Sequence, residues 1–155
     1  MVKVPETTAR ADIDLDEDLT ANMDLEPEDG AGGGYGCRNG GMIKNKTYQT
    51  YTKTNSVTGQ VYSGRTSGIR SAAENVRVRD MSHHMNSKGY GPAILDKSSS
   101  SYEAIRGREQ MLIEANGGAQ SVGGRSGNAI NGIGACNING LKYRNSAQKE
   151  FGRIE

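Results

Sequence analysis

KTYQTYTKTNSVTGQVYSGRT, residues 46–66, divides into an extended segment, a turn and a second extended segment. Tyr and Thr recur through KTYQTYTKT (46–54), a composition that suits a pleated, half-buried strand. NSVTG (55–59) has the Asn, Ser and Gly of a turn, and QVYSGRT (60–66) returns as the partner strand of a hairpin. Downstream, SAAENVRVRDMSHHMN (71–86) contains neither Gly nor Pro. Ser71 with Glu74 three residues on has the form of a capping box, so a helix is predicted over that stretch, ended by KGYGP. A second helix is predicted from about Ser101 to Ala115, capped by Ser100 or Ser101 and stopped by Gly117. Its apolar stripe would be Ile105 and Leu112, joined less regularly by Met111. The segment between the helices reads as an irregular strand or loop. The stretch 117–140 reads as an ordered polar loop on the body, and SAQKEFG (146–152) as one or two closing helical turns. The fold class is therefore α+β: a short antiparallel sheet flanked by helices, with long Gly-rich loops.

Composition bounds the rest. The chain has 155 residues, 34% hydrophobic and 5% aromatic, with 22 Gly and no Trp. Its core must be small, and part of the chain is expected to lie outside it. The net charge of +1 hides an asymmetry: residues 1–30 hold ten acidic and two basic side chains, net −8, and the other 125 residues carry +9. Residues 1–41 read as an acidic and then Gly-rich flexible tail, and 42–155 as the domain. Asp12, Asp14 and Asp16 lack the Gly and closing Glu of a calcium loop. A basic body beside an acidic tail suits a nucleic-acid binder, although a solvated basic surface would read the same. No apolar run is long enough to cross a bilayer, and the start has no signal-peptide pattern. Cys37 and Cys136 come without CxxC or His at ligand spacing, which excludes a zinc ribbon or disulfide framework.

The hairpin carries a more specific pattern. Tyr51 lies in QTYTKTN and Tyr62 in VYSG, eleven positions apart across a turn. This resembles the opening of GIY-YIG nucleases, with the first triplet reduced to its Tyr and YSG keeping two letters of three. Arg79 and His83 follow, four apart, which on one helix would set both on one face. Arg77 and His84 are the alternative pair. AIRGREQMLIE (104–114) resembles the family's third landmark, with Glu109 at the metal-binding position and Glu103 and Glu114 as substitutes. Asn128 in SGNAING, or Asn131 close behind, would supply the family's late Asn. Singly, each match has a plain explanation: cross-strand packing for the tyrosines, a solvated face for Arg79, an ion pair with Arg106 or Arg108 for Glu109, turn chemistry for Asn128. Their order over residues 48–131 is the stronger argument.

The resemblance, which extends to C-terminal domains of bacterial polymorphic toxins of the Rhs and type VI secretion kinds, implies a metal-dependent DNA endonuclease. Tyr51, Tyr62, Arg79, His83 and Asn128 would be catalytic. Glu109 would bind magnesium or manganese, and Arg65, Arg77, His84, Arg106 and Arg125 would contact DNA. It also implies an effector delivered into a target-cell cytoplasm, a secretion machinery or parent polypeptide, and a cognate immunity protein. The competing readings are an RNase with the same site, a basic DNA-binding module without catalysis, and a Gly-rich surface protein.

Overall fold

The hairpin forms as its composition predicts. In the computed structural model, which describes residues 45–155, β1 (Thr47–Thr54) pairs antiparallel with β2 (Val61–Gly68), Tyr51 opposite Gly64 and Lys53 opposite Tyr62. Asn55 sets the turn: its Oδ1 accepts from the backbone N–H of Val57 at 2.9 Å and of Thr58 at 3.0 Å. Gly59 completes the turn at φ 79°, a conformation with a steric cost for any side chain.

The remaining elements are α1 (Ala72–Met81), a 3-10 segment (His84–Lys88), β3 (Ile94–Ser99), α2 (Tyr102–Ala115), a 3-10 turn (Gln120–Val122) and α3 (Gly140–Phe151). The sheet is three-stranded and antiparallel in the order β2-β1-β3, so β2 is an edge strand. Residues 94–99, expected to be irregular, complete this sheet as β3. A bulge opposite Thr50 and Tyr51 explains their poor strand pattern, because it leaves Asp96 out of the pairing register. Asp96 turns to Thr50 Oγ1 at 2.8 Å and to Arg108, whose Nε and Nη2 donate at 2.7 and 3.0 Å.

Alternation along β1 assigns the two faces. Gln49, Tyr51 and Lys53 face α1 and the 3-10 segment, as Gln49–Asn75, Tyr51–His83 and Lys53–Asp80 contacts attest. Tyr48 and Thr50 face α2, through Tyr102 and the Asp96–Arg108 pair. The apolar core of the first face is Tyr51, Tyr62, Val76, Met85 and Tyr90. On the α2 side, Ala104, Ile105, Leu112, Ile113 and Ala147 are buried, and Ile113 takes the place expected of Met111, which is only half-buried. Much of the interior is polar, and hydrogen bonding is what makes it tolerable. Gln49 Oε1 accepts from Asn75 Nδ2 at 3.0 Å while Gln49 Nε2 donates to Ser98 Oγ at 2.9 Å.

Helix ends depart from expectation in two places. Ser71 caps α1 by accepting from Glu74 N at 3.2 Å, but Glu74 pairs with Arg77 instead of reaching back, so half of the capping box forms. The C-terminal helix runs for 12 residues, not one or two turns. It packs on α2 where Gly107 has no side chain; a Cβ there would collide with the Tyr143 carbonyl. The expected domain start near Met42, the acidic tail, the Gly-rich joint and Cys37 lie outside the described residues; Cys136 is a free, exposed thiol. Among the described residues no helix is long and apolar enough to cross a membrane.

Candidate active site around the edge strand

Tyr51 is fully buried, and its hydroxyl lies 2.8 Å from His83 Nε2. The hydroxyl passes over Gly64, where a Cβ would stand 2.6 Å from it, so this third letter of YSG is glycine for steric reasons. Tyr62 meets the same imidazole edge-on at 5.2 Å, and His84 stacks on His83 at 4.7 Å and 22°. The backbone N–H of Met85 donates to His83 Nδ1 at 3.1 Å. In the neutral ring the proton is therefore assigned to Nε2, which donates to the Tyr51 oxygen. Burial lowers the His83 pKa to about 3, helped by the charges of Arg79, His84 and Lys53 and opposed by Asp80. The ring is a neutral donor at physiological pH, with both nitrogens engaged. Its two partners are the Tyr51 hydroxyl and the Met85 backbone N–H.

That shift has a consequence for stability. His83 binds a proton in the unfolded chain below its ordinary value of 6.5 and, in the folded chain, only near 3. Stability held above pH 6.5 should therefore be lost as pH falls toward 3, on the order of 1 kcal/mol per pH unit. Denaturant melts of wild type and His83→Gln between pH 7 and pH 4 check this. The wild type should lose more stability over that range, and parallel losses would contradict the assignment.

Arg79 and His83 do not share a helix. α1 ends at Met81 with Ser82 as its C-cap, and His83 is extended at φ −72° and ψ 132°. Ser, His and Asn are mediocre helix formers. Side chains then take over the backbone groups at the break: Asn86 Nδ2 donates to the Asp80 carbonyl at 2.7 Å, and His83 caps the 3-10 segment. Arg79 nonetheless acts electrostatically on His83 from the last turn of α1. Arg77 points outward and pairs with Glu74, both well exposed. If the site cleaves phosphodiesters, as the resemblance implies, Arg79→Ala should reduce cleavage roughly a hundredfold, the loss of one preorganised charge-stabilising group, and Arg77→Ala should stay near wild type. Rates in the reverse order would transfer the role to Arg77.

Lys53, which sequence reasoning missed, organises this face. It is fully buried, forms an ion pair with Asp80 and donates to Asn86 Oδ1 at 2.7 Å. Thr-Lys-Thr in a hairpin resembles an exposed strand, so no local feature marks the burial. Removing one partner of a buried ion pair strands the other, and Lys53→Ala should cost about 3 kcal/mol. Urea unfolding measures this, and a loss below about 1 kcal/mol would mean that Asp80 rehydrates freely.

On the opposite face Arg65 Nε donates to Glu109 Oε2 at 2.8 Å, with both side chains nearly buried. Glu109 thus pairs with Arg65, not with Arg106 or Arg108: Arg106 donates to the Gly132 carbonyl, and Arg108 holds Asp96. Among the described residues Glu109 Oε1 has no protein partner. Its carboxylate fits against Gly132, whose missing side chain leaves the space. Glu103 pairs with Lys142, and Glu114 with Arg144 and Gln110; both ion pairs are more exposed than that of Arg65 with Glu109. Hydrogen bonds from Arg144 hold the Glu114 carboxyl below its usual range.

The two clusters share β2. Tyr62 and Gly64 project to one face, Ser63 and Arg65 to the other, and the strand is an edge. Asn128 locks that edge: its Oδ1 accepts from Ser63 N at 2.9 Å and its Nδ2 donates to Ser63 O at 2.8 Å. Both ends of the amide are thereby used, which makes Asn128 a positioning residue. Asn131 instead accepts from Gln110. Arg125 is exposed beside the hairpin turn, its carbonyl accepting from Gln60. Comparison with family models, curated proteins and solved structures gave no match.

Proposed function

We propose that the folded unit Lys46–Glu155 is a divalent-metal-dependent phosphodiesterase of the GIY-YIG kind that hydrolyses DNA and serves as an antibacterial toxin. The observation that carries this reading is the Tyr51 hydroxyl held 2.8 Å from a buried, neutral imidazole. Tyrosine, with an ordinary pKa of about 10, is a poor base unless its phenolate is favoured. The Nε2–H of His83, donated to the Tyr51 oxygen, is the contact that would support a phenolate there.

In the proposed reaction Tyr51, having first lost its phenol proton to solvent, would take a proton from the attacking water as a phenolate. His83 keeps its own proton and stabilises the phenolate, while Arg79 offsets charge on the phosphoryl oxygens. Asn128 holds β2, on which Tyr62, Gly64 and Arg65 are carried. Glu109 is the residue that would hold the cation. One carboxylate with an oxygen left over suits magnesium or manganese, which keep most of their waters. Among the described residues no three His, Cys, Asp or Glu side chains gather into a larger ligand set. Bound there, the cation supplies charge stabilisation to the leaving oxygen.

Plasmid and structured RNA, incubated side by side with the full chain, test the substrate. Preferential loss of the RNA would favour an RNase with the same residues, and binding without cleavage would favour the non-catalytic DNA module. The toxin role draws on the resemblance of the sequence, and with it the immunity protein, the secretion route or parent polypeptide, and delivery to a target cytoplasm. An inhibitor for a +9 body would offer acidic side chains. Expression of the chain in a bacterial cytoplasm should fragment the chromosome, and intact DNA under expression would remove this role.

A further inference from the structure

Next to Glu109 lies a set of side chains that the proposed chemistry does not use. The guanidinium of Arg106 sits 5.8 Å from the Tyr102 ring centroid and 5.5 Å from that of Tyr143, held between two rings that meet edge-on at 6.2 Å. It is fixed there by donating to the Tyr102 hydroxyl and, from Nε and Nη2, to the Gly132 carbonyl at 3.3 and 3.2 Å. Gly132 is the residue that makes room for the Glu109 carboxylate. Arg65, the partner of Glu109, lies over Tyr102 at 5.8 Å. Tyr102, Arg106 and Tyr143 are all half-buried, each keeping part of its surface toward solvent. Gly107 and the fully buried Ala147 also bring α2 and α3 together.

Rings interleaved with immobilised cations are what a flexible nucleic-acid strand binds. Every base has a face to stack on a ring whatever its sequence, and guanidinium groups track the phosphates. A duplex keeps its base faces covered and has less use for such a surface. We propose that Tyr102, Arg106 and Tyr143 form a shelf that binds single-stranded DNA, or a strand opened from a duplex, and leads it to Glu109. This deepens the nuclease reading and rests on it for purpose, though its test requires no cleavage.

The full chain carrying Glu109→Gln, which suppresses cutting, is titrated into a fluorescein-labelled oligothymidylate and into an abasic oligonucleotide of equal length. Anisotropy is read at one fixed salt concentration. Tyr143→Leu and Tyr102→Leu should each weaken oligothymidylate binding by roughly 5- to 100-fold, the effect of losing one stacked base. Affinity for the abasic strand should stay within about twofold, because phosphate contacts survive. Tyr102→Phe should lose far less than Tyr102→Leu, since the ring that stacks is kept and Arg106 is still held by the Gly132 carbonyl. If Tyr102→Leu fails to fold, Tyr143→Leu carries the test. Equal losses on both strands, or no loss on either, would overturn the proposal. A chain that cuts DNA but shows no stacking loss sinks the shelf alone. A chain that never cuts but shows the loss sinks the nuclease reading alone.

Discussion

Replacing Tyr51 with Phe should lower DNA cleavage by about two to four orders of magnitude, the usual contribution of a positioned general base. The substitution keeps the ring that packs against His83 and removes only the oxygen at 2.8 Å. The imidazole N–H then loses a buried partner, so stability should also fall by about 1–3 kcal/mol. Circular dichroism melts separate this cost from the catalytic one, because a folded protein at assay temperature reports the chemistry alone. Cleavage within tenfold of wild type would move the base role to Tyr62, which contacts the same imidazole.

The second large effect is expected at Glu109. Glu109→Ala should cut activity roughly a hundredfold or more, the loss that follows when a metal's charge stabilisation is withdrawn. Because Glu109 also neutralises the nearly buried Arg65, alanine alone would confuse lost metal with a disturbed strand. Glu109→Gln resolves this: its amide oxygen still accepts from Arg65, but the negative charge is gone. Parallel loss in both variants assigns the role to charge. Retained activity in Glu109→Gln, measured over a magnesium series, would make the pair structural and place the cation elsewhere.

What the sequence revealed follows a physical rule. The hairpin and α2 announce themselves locally, through Asn55 and Gly59 at the turn and Ser101 Oγ accepting from Ala104 N at the helix start. β3 does not, because DKSS owes its place to a bulge and to the Asp96–Arg108 pair. The end of α1 is set by Asp80 and Asn86 binding a lysine 27 and 33 residues away. α3 hides in a polar segment whose packing depends on Gly107 of another helix. The candidate site divides the same way. Tyr51, Tyr62 and Glu109 have a recognisable order along the chain. The ion pair joining Arg65 to Glu109 spans 44 positions and leaves no trace in local pattern. Helical spacing would put Arg79 and His83 on one face, whereas the helix ends at Met81 and Arg79 acts on His83 from its last turn.

One assay bears on the central claim most directly. Supercoiled plasmid is incubated with the full chain in magnesium, in EDTA, and in magnesium with Glu109→Ala, and nicked product is followed over time. The account predicts steady nicking by the wild type in magnesium and essentially none in the other two reactions. Intact plasmid in all three, or nicking that persists in EDTA and in Glu109→Ala, would contradict it.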